Sequence, residues 1–272
     1  MAQHGGRRTV TPVVKLTRAP LLTVILVGAL ASAAFADDFV GTDAADVLQG
    51  TEQPDQIYAE AGDDSVTGLG ANDYLEAGEG ADMVDGGPGV DLIIGGTGDD
   101  RLLGGSGSDV VYAGADQDEV LGGAGQDHLF GQVGGDRLYG GPDDDQLYAG
   151  TDSDPAKPDF ADGGSGADRI TSDGVATLLG GPGADVIRAQ GTKITVDAGP
   201  DADRVRTGWG PDEVDGGAGT DKISTGRGRD VIDADDGERD VIKCGAGRDR
   251  VRADAIDELT GCEVRQGPAA RR

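Results

Sequence analysis

The sequence predicts an all-β chain folded as a parallel β-roll, a two-stranded β-solenoid of nonapeptide repeats. Three observations carry this prediction. An aspartate recurs every nine residues, at Asp46, Asp55, Asp64, Asp73, Asp82, Asp91, Asp100, Asp109, Asp118, Asp127, Asp136 and Asp145. An aliphatic residue follows two places behind each, from Leu48, Ile57 and Val66 through to Leu129, Leu138 and Leu147. Glycine-rich turns precede the best copies, as in Gly86-Gly87-Pro88-Gly89-Val90-Asp91 and Gly104-Gly105-Ser106-Gly107-Ser108-Asp109. Self-similarity at a fixed period marks a stacked architecture and takes precedence over local propensity.

Each repeat reads as a turn of about six residues and a strand of about three, whose middle residue faces inward while its neighbours face out. The glycines permit the positive backbone dihedrals of a tight reversal. Two repeats then make one coil with two short strands, and coils stack about 4.8 Å apart by parallel pairing. About 13 such coils predict a rod near 60 Å long with a thin aliphatic core, by the same spacing. No repeat buries its apolar face alone, so stability is shared between neighbours.

Residues 1–36 read as a secretory signal peptide. They carry a basic start (Arg7, Arg8, Lys15, Arg18), an apolar run from Leu21 to Ala31, and Ala34-Phe35-Ala36 as a small-x-small cleavage site. A membrane anchor is the rival reading, but the run is shorter than the roughly 20 residues a spanning helix needs. The Arg7-Arg8 pair leaves open general secretory or twin-arginine export. Residues 37–243 form the repeat region. It contains an irregular insertion near 149–162, with Asp154 still in phase and Pro158 to Asp162 added. Beyond it the period resumes at Asp168, drops one residue before Asp185, and continues through Asp203, Asp212, Asp221 and Asp230; Ile194 stands in one aspartate slot. Residues 244–272 hold the last repeat and a cap. Cys244 and Cys262 are the two cysteines, and in an exported chain they are expected to form a disulfide, with free thiols or an intermolecular bond as alternatives.

Composition narrows the function. The chain carries 51 Asp+Glu against 23 Lys+Arg, a formal charge of −28, with only 36% hydrophobic and 4% aromatic residues. Such a chain repels itself when compact, so either it is disordered or something external neutralises the carboxylates. An acidic surface of this kind repels nucleic acid. H-E-x-x-H and G-x-S-x-G are both absent from the sequence, and after the signal the only histidine is His128, at an outward strand position. The chain is therefore not expected to be an enzyme, although so many acids leave a carboxylate pair conceivable.

The chemistry lies in the aspartates. Turns alternate between the two edges of a roll, so neighbours in space are 18 residues apart: Asp73, Asp91, Asp109, Asp127 and Asp145 on one edge, and Asp64, Asp82, Asp100, Asp118 and Asp136 on the other. Carboxylates stacked about 5 Å apart repel strongly unless cations intervene. Calcium suits them because it accepts six to eight oxygens in flexible geometry, at about 2.3–2.6 Å. Soft metals are disfavoured where histidine and cysteine are so scarce.

With seven full Gly-Gly-x-Gly-x-Asp turns, the chain resembles the hemolysin-type, or RTX, calcium-binding repeat family over most of its length after the signal. The resemblance implies a parallel β-roll with each Ca2+ held between consecutive turns on one edge by aspartates and turn carbonyls. Carried onto this chain, it makes Asp64, Asp73, Asp82, Asp91, Asp100, Asp109, Asp118, Asp127, Asp136, Asp145, Asp168, Asp185 and Asp221 the candidate metal ligands. Gly86, Gly95, Gly104 and Gly122 would be backbone ligands. The implied function is that of a secreted, extracellular calcium-binding protein whose roll folds on Ca2+ as a structural or interaction module, without a membrane anchor. Its partner would be an extracellular protein or polysaccharide. A surface adhesin or coat component is the alternative, with an extracellular polysaccharide-modifying enzyme further behind.

Three local expectations follow from the residues. Residues 37–199 contain 6 basic and 34 acidic residues, whereas 200–272 contain 13 and 17. Guanidinium groups are therefore expected to neutralise part of the later aspartate ladder, with solvated outward charge as the bland alternative. Trp209, the only tryptophan, is expected to cover the core edge, with ligand contact as the other reading. The loop containing Phe160 is expected to be a tolerated surface insertion.

Overall fold

The structure, a computed structural model, describes residues 23–25, 38–151, 154 and 156–266. The signal-peptide expectation therefore falls almost wholly outside the described residues. Of that segment, Thr23–Ile25 is described as a strand beside Asp46–Gln49.

Alternating inward and outward side chains produce two long parallel sheets. One has 14 strands, from Thr23–Ile25 to Val264–Gln266, and the other has 13, from Asp38–Thr42 to Glu258–Thr260. Successive strands alternate between the sheets, so each strand pairs with its equivalents one coil before and one coil after. Val111, for example, lies in register with both Ile93 and Leu129. A two-stranded ribbon, Arg227–Gly228 with Ala246–Gly247, completes the pairing, and no helix occurs among the described residues.

The strands are longer than the repeat alone suggests. From Tyr74–Glu79 to Arg137–Pro142 they run six residues rather than three, because the two turn residues that follow, most often glycines, stay in the ladder, as in Gly78 opposite Gly96. From Arg169 onward they are four residues or fewer. Three positions per repeat are buried: the aspartate, the aliphatic residue, and the glycine or alanine two places on. Leu75, Ile93, Leu102, Val111, Val120 and Leu129 are all fully buried in one continuous column of aliphatic side chains between the sheets. Large inward residues appear only once per repeat, so the two sheets close on a core one side chain thick.

Stacking imposes backbone conformation as well. A Cβ on Gly98, whose φ is +112°, would collide with the Gly80 carbonyl of the preceding coil, so only glycine fits there. Where the pattern puts Asp116 or Asp143 at the equivalent position, each still adopts a positive φ, 84° and 81°. Aspartate tolerates that region better than most residues do.

The insertion sits differently from the sequence expectation. Asp159–Ser165 is a regular strand, with Ala161 buried opposite Leu138 and Asp159 in the aspartate slot. The extra residues therefore precede Asp159, and Asp154, in phase by counting alone, is displaced into the loop, where it is exposed. Phe160 packs on this sheet against Tyr139, with ring centroids 5.5 Å apart. On the other sheet, Tyr112, Phe130 and Tyr148 stack face to face at 4.7 Å per step. At the far end Cys244 and Cys262 form a disulfide that ties the last coil to its predecessor. Cys244 is fully buried in the core.

Candidate metal centres

Each repeat aspartate sits where a turn enters a strand and points along the stack. Its Oδ1 accepts the backbone N–H of the aspartate one coil earlier. Asp91 N–H donates to Asp109 Oδ1 at 2.8 Å, Asp109 to Asp127 at 2.8 Å, and Asp127 to Asp145 at 2.8 Å. These bonds resolve the aspartates into two ladders. The first runs Asp55, Asp73, Asp91, Asp109, Asp127, Asp145, Asp168, Asp185, Asp203, Asp221, Asp240 and Asp257. The second begins Asp46, Asp64, Asp82, Asp100, Asp118, Asp136 and Asp159. It breaks at Ala176 and Ile194, then resumes at Asp212, Asp230 and Asp249 and ends on Glu263.

All thirteen candidate carboxylates lie on these ladders; the ten from Asp64 to Asp145 are on the edges expected, and Asp168, Asp185 and Asp221 fall on the first. Asp46, Asp55, Asp159, Asp203, Asp212, Asp230, Asp240, Asp249 and Asp257 also lie on the ladders, outside the thirteen candidates. Asp159 was hidden by the insertion. The others except Asp257 were visible in the period, but their turns lack the full glycine pattern, as where Thr207 and Thr225 replace the first glycine.

The second carboxylate oxygen is the chemically notable one. In Asp73, Asp91, Asp109, Asp127 and Asp145, Oδ2 is buried without a hydrogen-bond partner, and the same holds for Asp64, Asp82, Asp100 and Asp118. A buried, unpaired, ionised oxygen is costly, so the site favours either a proton or a cation. Burial raises these carboxyls well above the ordinary range, opposed by the backbone N–H bond and reinforced by neighbouring rungs. Asp91, Asp100, Asp118, Asp145 and Asp185 are pushed up to about 7, and Asp203 to about 8. Asp64, Asp73, Asp127 and Asp168 reach about 6, while Asp82 and Asp109 are raised by the same burial.

The turn supplies a second oxygen. A Cβ placed on Gly86 would meet Asp91 Oδ2 and the Gly104 carbonyl oxygen, each at 2.6 Å. On Gly104 it would meet the Gly122 carbonyl oxygen at 2.5 Å and Asp109 Oδ2 at 2.7 Å. The Gly86 carbonyl oxygen likewise converges with Asp73 Oδ2 beside Gly68. The first glycine thus leaves a cradle in which a carboxylate of one coil and a carbonyl of the next converge. Gly86, Gly104 and Gly122 offer their carbonyls in this way. The Gly95 carbonyl falls opposite Ala77, whose own β-carbon stands in the corresponding place.

Among the described residues no three Asp, Glu, His or Cys side chains gather at one point. A bound ion would therefore draw on few carboxylates and complete its shell from carbonyls. An all-oxygen set of this kind fits a hard, flexibly coordinated cation such as Ca2+ and does not suit a softer metal. His128 does not contribute: its Nε2 shares a hydrogen bond with Gln146 Nε2 at 2.8 Å on the outer face.

Two expectations are corrected. Among the described residues no arginine of the last third forms an ion pair with a ladder aspartate. Arg252 pairs with Asp233 and Asp235, and Arg239 with Glu258, all outward carboxylates, while Oδ2 of Asp203, Asp221 and Asp240 stays buried without a hydrogen-bond partner. The strand pleat explains this, because arginines at the outward positions alternate away from the buried aspartates. Trp209 does not cover the core edge; it is 71% exposed.

Comparison with known families gives a match to the family described as RTX calcium-binding nonapeptide repeat, in blocks of four copies. It covers residues 40–75, 61–93, 85–120, 94–129, 121–154, 156–176, 170–192, 197–232 and 206–239. Comparison with curated proteins finds no match.

Proposed function

The chain belongs to the RTX calcium-binding nonapeptide repeat family and is a calcium-binding repeat protein, and from that premise we propose that it is secreted, folds on extracellular Ca2+ and serves as a structural or interaction module. The observation that carries this reading is the pair of ladders of buried carboxylates, in which Oδ2 of Asp64, Asp73, Asp82, Asp91, Asp100, Asp109, Asp118, Asp127 and Asp145 lacks a hydrogen-bond partner. They are stable only when charge-compensated, and a cytoplasm poor in free calcium leaves them uncompensated. When bound, Ca2+ supplies that positive charge. Asp73, Asp91, Asp109 and Asp127, with the carbonyls of Gly86, Gly104 and Gly122, would hold it on the first ladder. On the second, Asp64, Asp82, Asp100, Asp118 and Asp136 would do so, with the Ala113 carbonyl converging on Asp100 in the space that Gly95 leaves open. Asp145, Asp168, Asp185 and Asp221 extend the first series.

Because each aspartate orders the backbone of its neighbour, binding free energy becomes folding free energy. The chain would leave the cell unfolded and order outside it. Export by the N-terminal signal fits this reading, and no helix among the described residues is long and apolar enough to cross a membrane. We assign no catalytic role, since the carboxylates of the ladders are enclosed by the turns and His128 is engaged with Gln146. The test is circular dichroism of residues 37–272 through a calcium titration. Strand signal is expected to rise with calcium and vanish with chelator; strand content indifferent to both contradicts the reading.

A further inference from the structure

The outer face of the 13-stranded sheet changes character along the rod. Its aromatic column, Tyr112, Phe130 and Tyr148, gives way to Thr171 and then to Arg188 and Arg206, which are adjacent in register across neighbouring coils. Both arginines are exposed. At the edge of this face the turn carrying Trp209 bridges to Arg227 of the next coil. Arg188, Arg206, Arg227 and Trp209 together with Gln190 and Thr207 line an open cavity of about 330 Å3. None of the three guanidinium groups has an ion-pair partner among the described residues.

The position is informative. The cavity lies beside the interruption of the second ladder, where Ala176 and Ile194 replace aspartates and leave no carboxylate in two successive coils. A chain of net charge −28 thus gathers three free guanidiniums and its only tryptophan at the one break in its acidic edge. Guanidinium groups recognise planar carboxylates and sulfates through paired N–H donors. An exposed indole offers a flat apolar face beside a polar rim.

We propose that this cavity binds an acidic polysaccharide, with Arg188, Arg206 and Arg227 pairing to the carboxylate or sulfate groups and Trp209 packing on a sugar ring. The repeat of the coils, about 4.8 Å, sets the guanidinium spacing along the rod, a separation close to that of successive sugars in an extended chain. A single indole favours a glycan over single-stranded nucleic acid, which is held by stacking successive bases on several aromatic platforms. The inference rests on the extracellular-module reading and names the partner class that the module would hold.

Because Trp209 is the only tryptophan, its fluorescence reports on this cavity alone. The calcium-loaded chain is titrated with a short oligogalacturonate, a sulfated dextran oligosaccharide, neutral dextran and an oligothymidylate, with circular dichroism confirming the fold in each sample. An acidic oligosaccharide is expected to shift the tryptophan emission and neutral dextran to leave it unchanged; the stronger of the two acidic ligands identifies carboxylate or sulfate as the group read. By calorimetry, R188A/R206A and W209A are each expected to weaken binding by about tenfold or more. Uronate binding that survives both sets of substitutions is calcium bridging to the acidic edges and overturns the proposal. So does tighter binding of oligothymidylate, or a folded chain that binds neither acidic glycan. Failure to fold with calcium, seen in the same spectra, would instead count against the module reading.

Discussion

The two edges of the roll share a period and differ, in three coils, by a single β-carbon. On the first ladder the residue five places before each aspartate is glycine in eight successive coils, Gly50, Gly68, Gly86, Gly104, Gly122, Gly140, Gly163 and Gly180. On the second, the same place holds Gly41, then Ala59, Ala77, Gly95, Ala113 and Gly131. Ala59, Ala77 and Ala113 are fully buried, and each β-carbon occupies space that glycine leaves open to a carboxylate and a carbonyl. The second ladder also loses its carboxylate at Ala176 and Ile194. An aspartate period alone therefore does not equate the edges. The first is built as a continuous series of cation cradles, and the second trades part of that capacity for apolar packing.

The largest test of this contrast removes charge from three successive rungs. Changing Asp91, Asp109 and Asp127 to Asn is expected to raise the calcium concentration at the folding midpoint by about a hundredfold, since metal binding supplies the folding free energy. The same change at Asp82, Asp100 and Asp118 should raise it distinctly less. Equal shifts in paired calcium titrations by circular dichroism would erase the distinction.

Acidity comes next and should act on both edges alike. Burial lifts carboxyls on the first ladder (Asp91 and Asp145, about 7) and on the second (Asp100 and Asp118, about 7). Their folded pKa lies above the unfolded carboxylate value near 3.9, so protons bind the folded state more tightly. The calcium-free roll is then most stable below about pH 4 and loses that stability as pH rises through 6 to 8. Calcium competes with the same protons, so its midpoint should rise by roughly tenfold per pH unit on acidification below these values. A chelated chain that is folded at pH 8 and unfolded at pH 4 reverses the predicted sign.

The smallest effect isolates the single atom. Gly104→Ala places a methyl against the Gly122 carbonyl and Asp109 and should weaken calcium-dependent folding by about 1–3 kcal/mol through overpacking. Ala113→Gly, on the second ladder, should lower the calcium midpoint slightly or leave it unchanged. If Gly104→Ala is neutral in calcium titrations, the cradle is not the source of the difference.

Much of this organisation was legible from residue spacing. The 18-residue coil, the inward aliphatic column and the membership of each edge follow from a period that admits one register. What escaped the reading depended on what a coil can absorb. Asp154 keeps phase by counting, yet Asp159 takes the slot, with Ala161 inward opposite Leu138 and the surplus residues in the preceding loop. Sequence adjacency sets the arginines beside the repeat aspartates, but adjacency in a strand means opposite faces. Strand length was underestimated because glycine pairs read as turn, whereas stacking keeps them in the ladder. Trp209 could not be placed from sequence, since the turns close the thin core with backbone and leave the indole outside.

The alternation of strands between two sheets gives the chain a parity. Removing two successive repeats deletes one rung from each edge and leaves every later residue on its own side. Removing one repeat sends every downstream strand to the opposite sheet, splicing the glycine-lined series onto the alanine-lined one and carrying Arg188 and Arg206 to the other face. Length can thus change freely only in even steps. The longer spacing at Asp136–Asp159 and the shorter one at Asp168–Asp185 are tolerated because loops absorb them without changing which side the next strand joins.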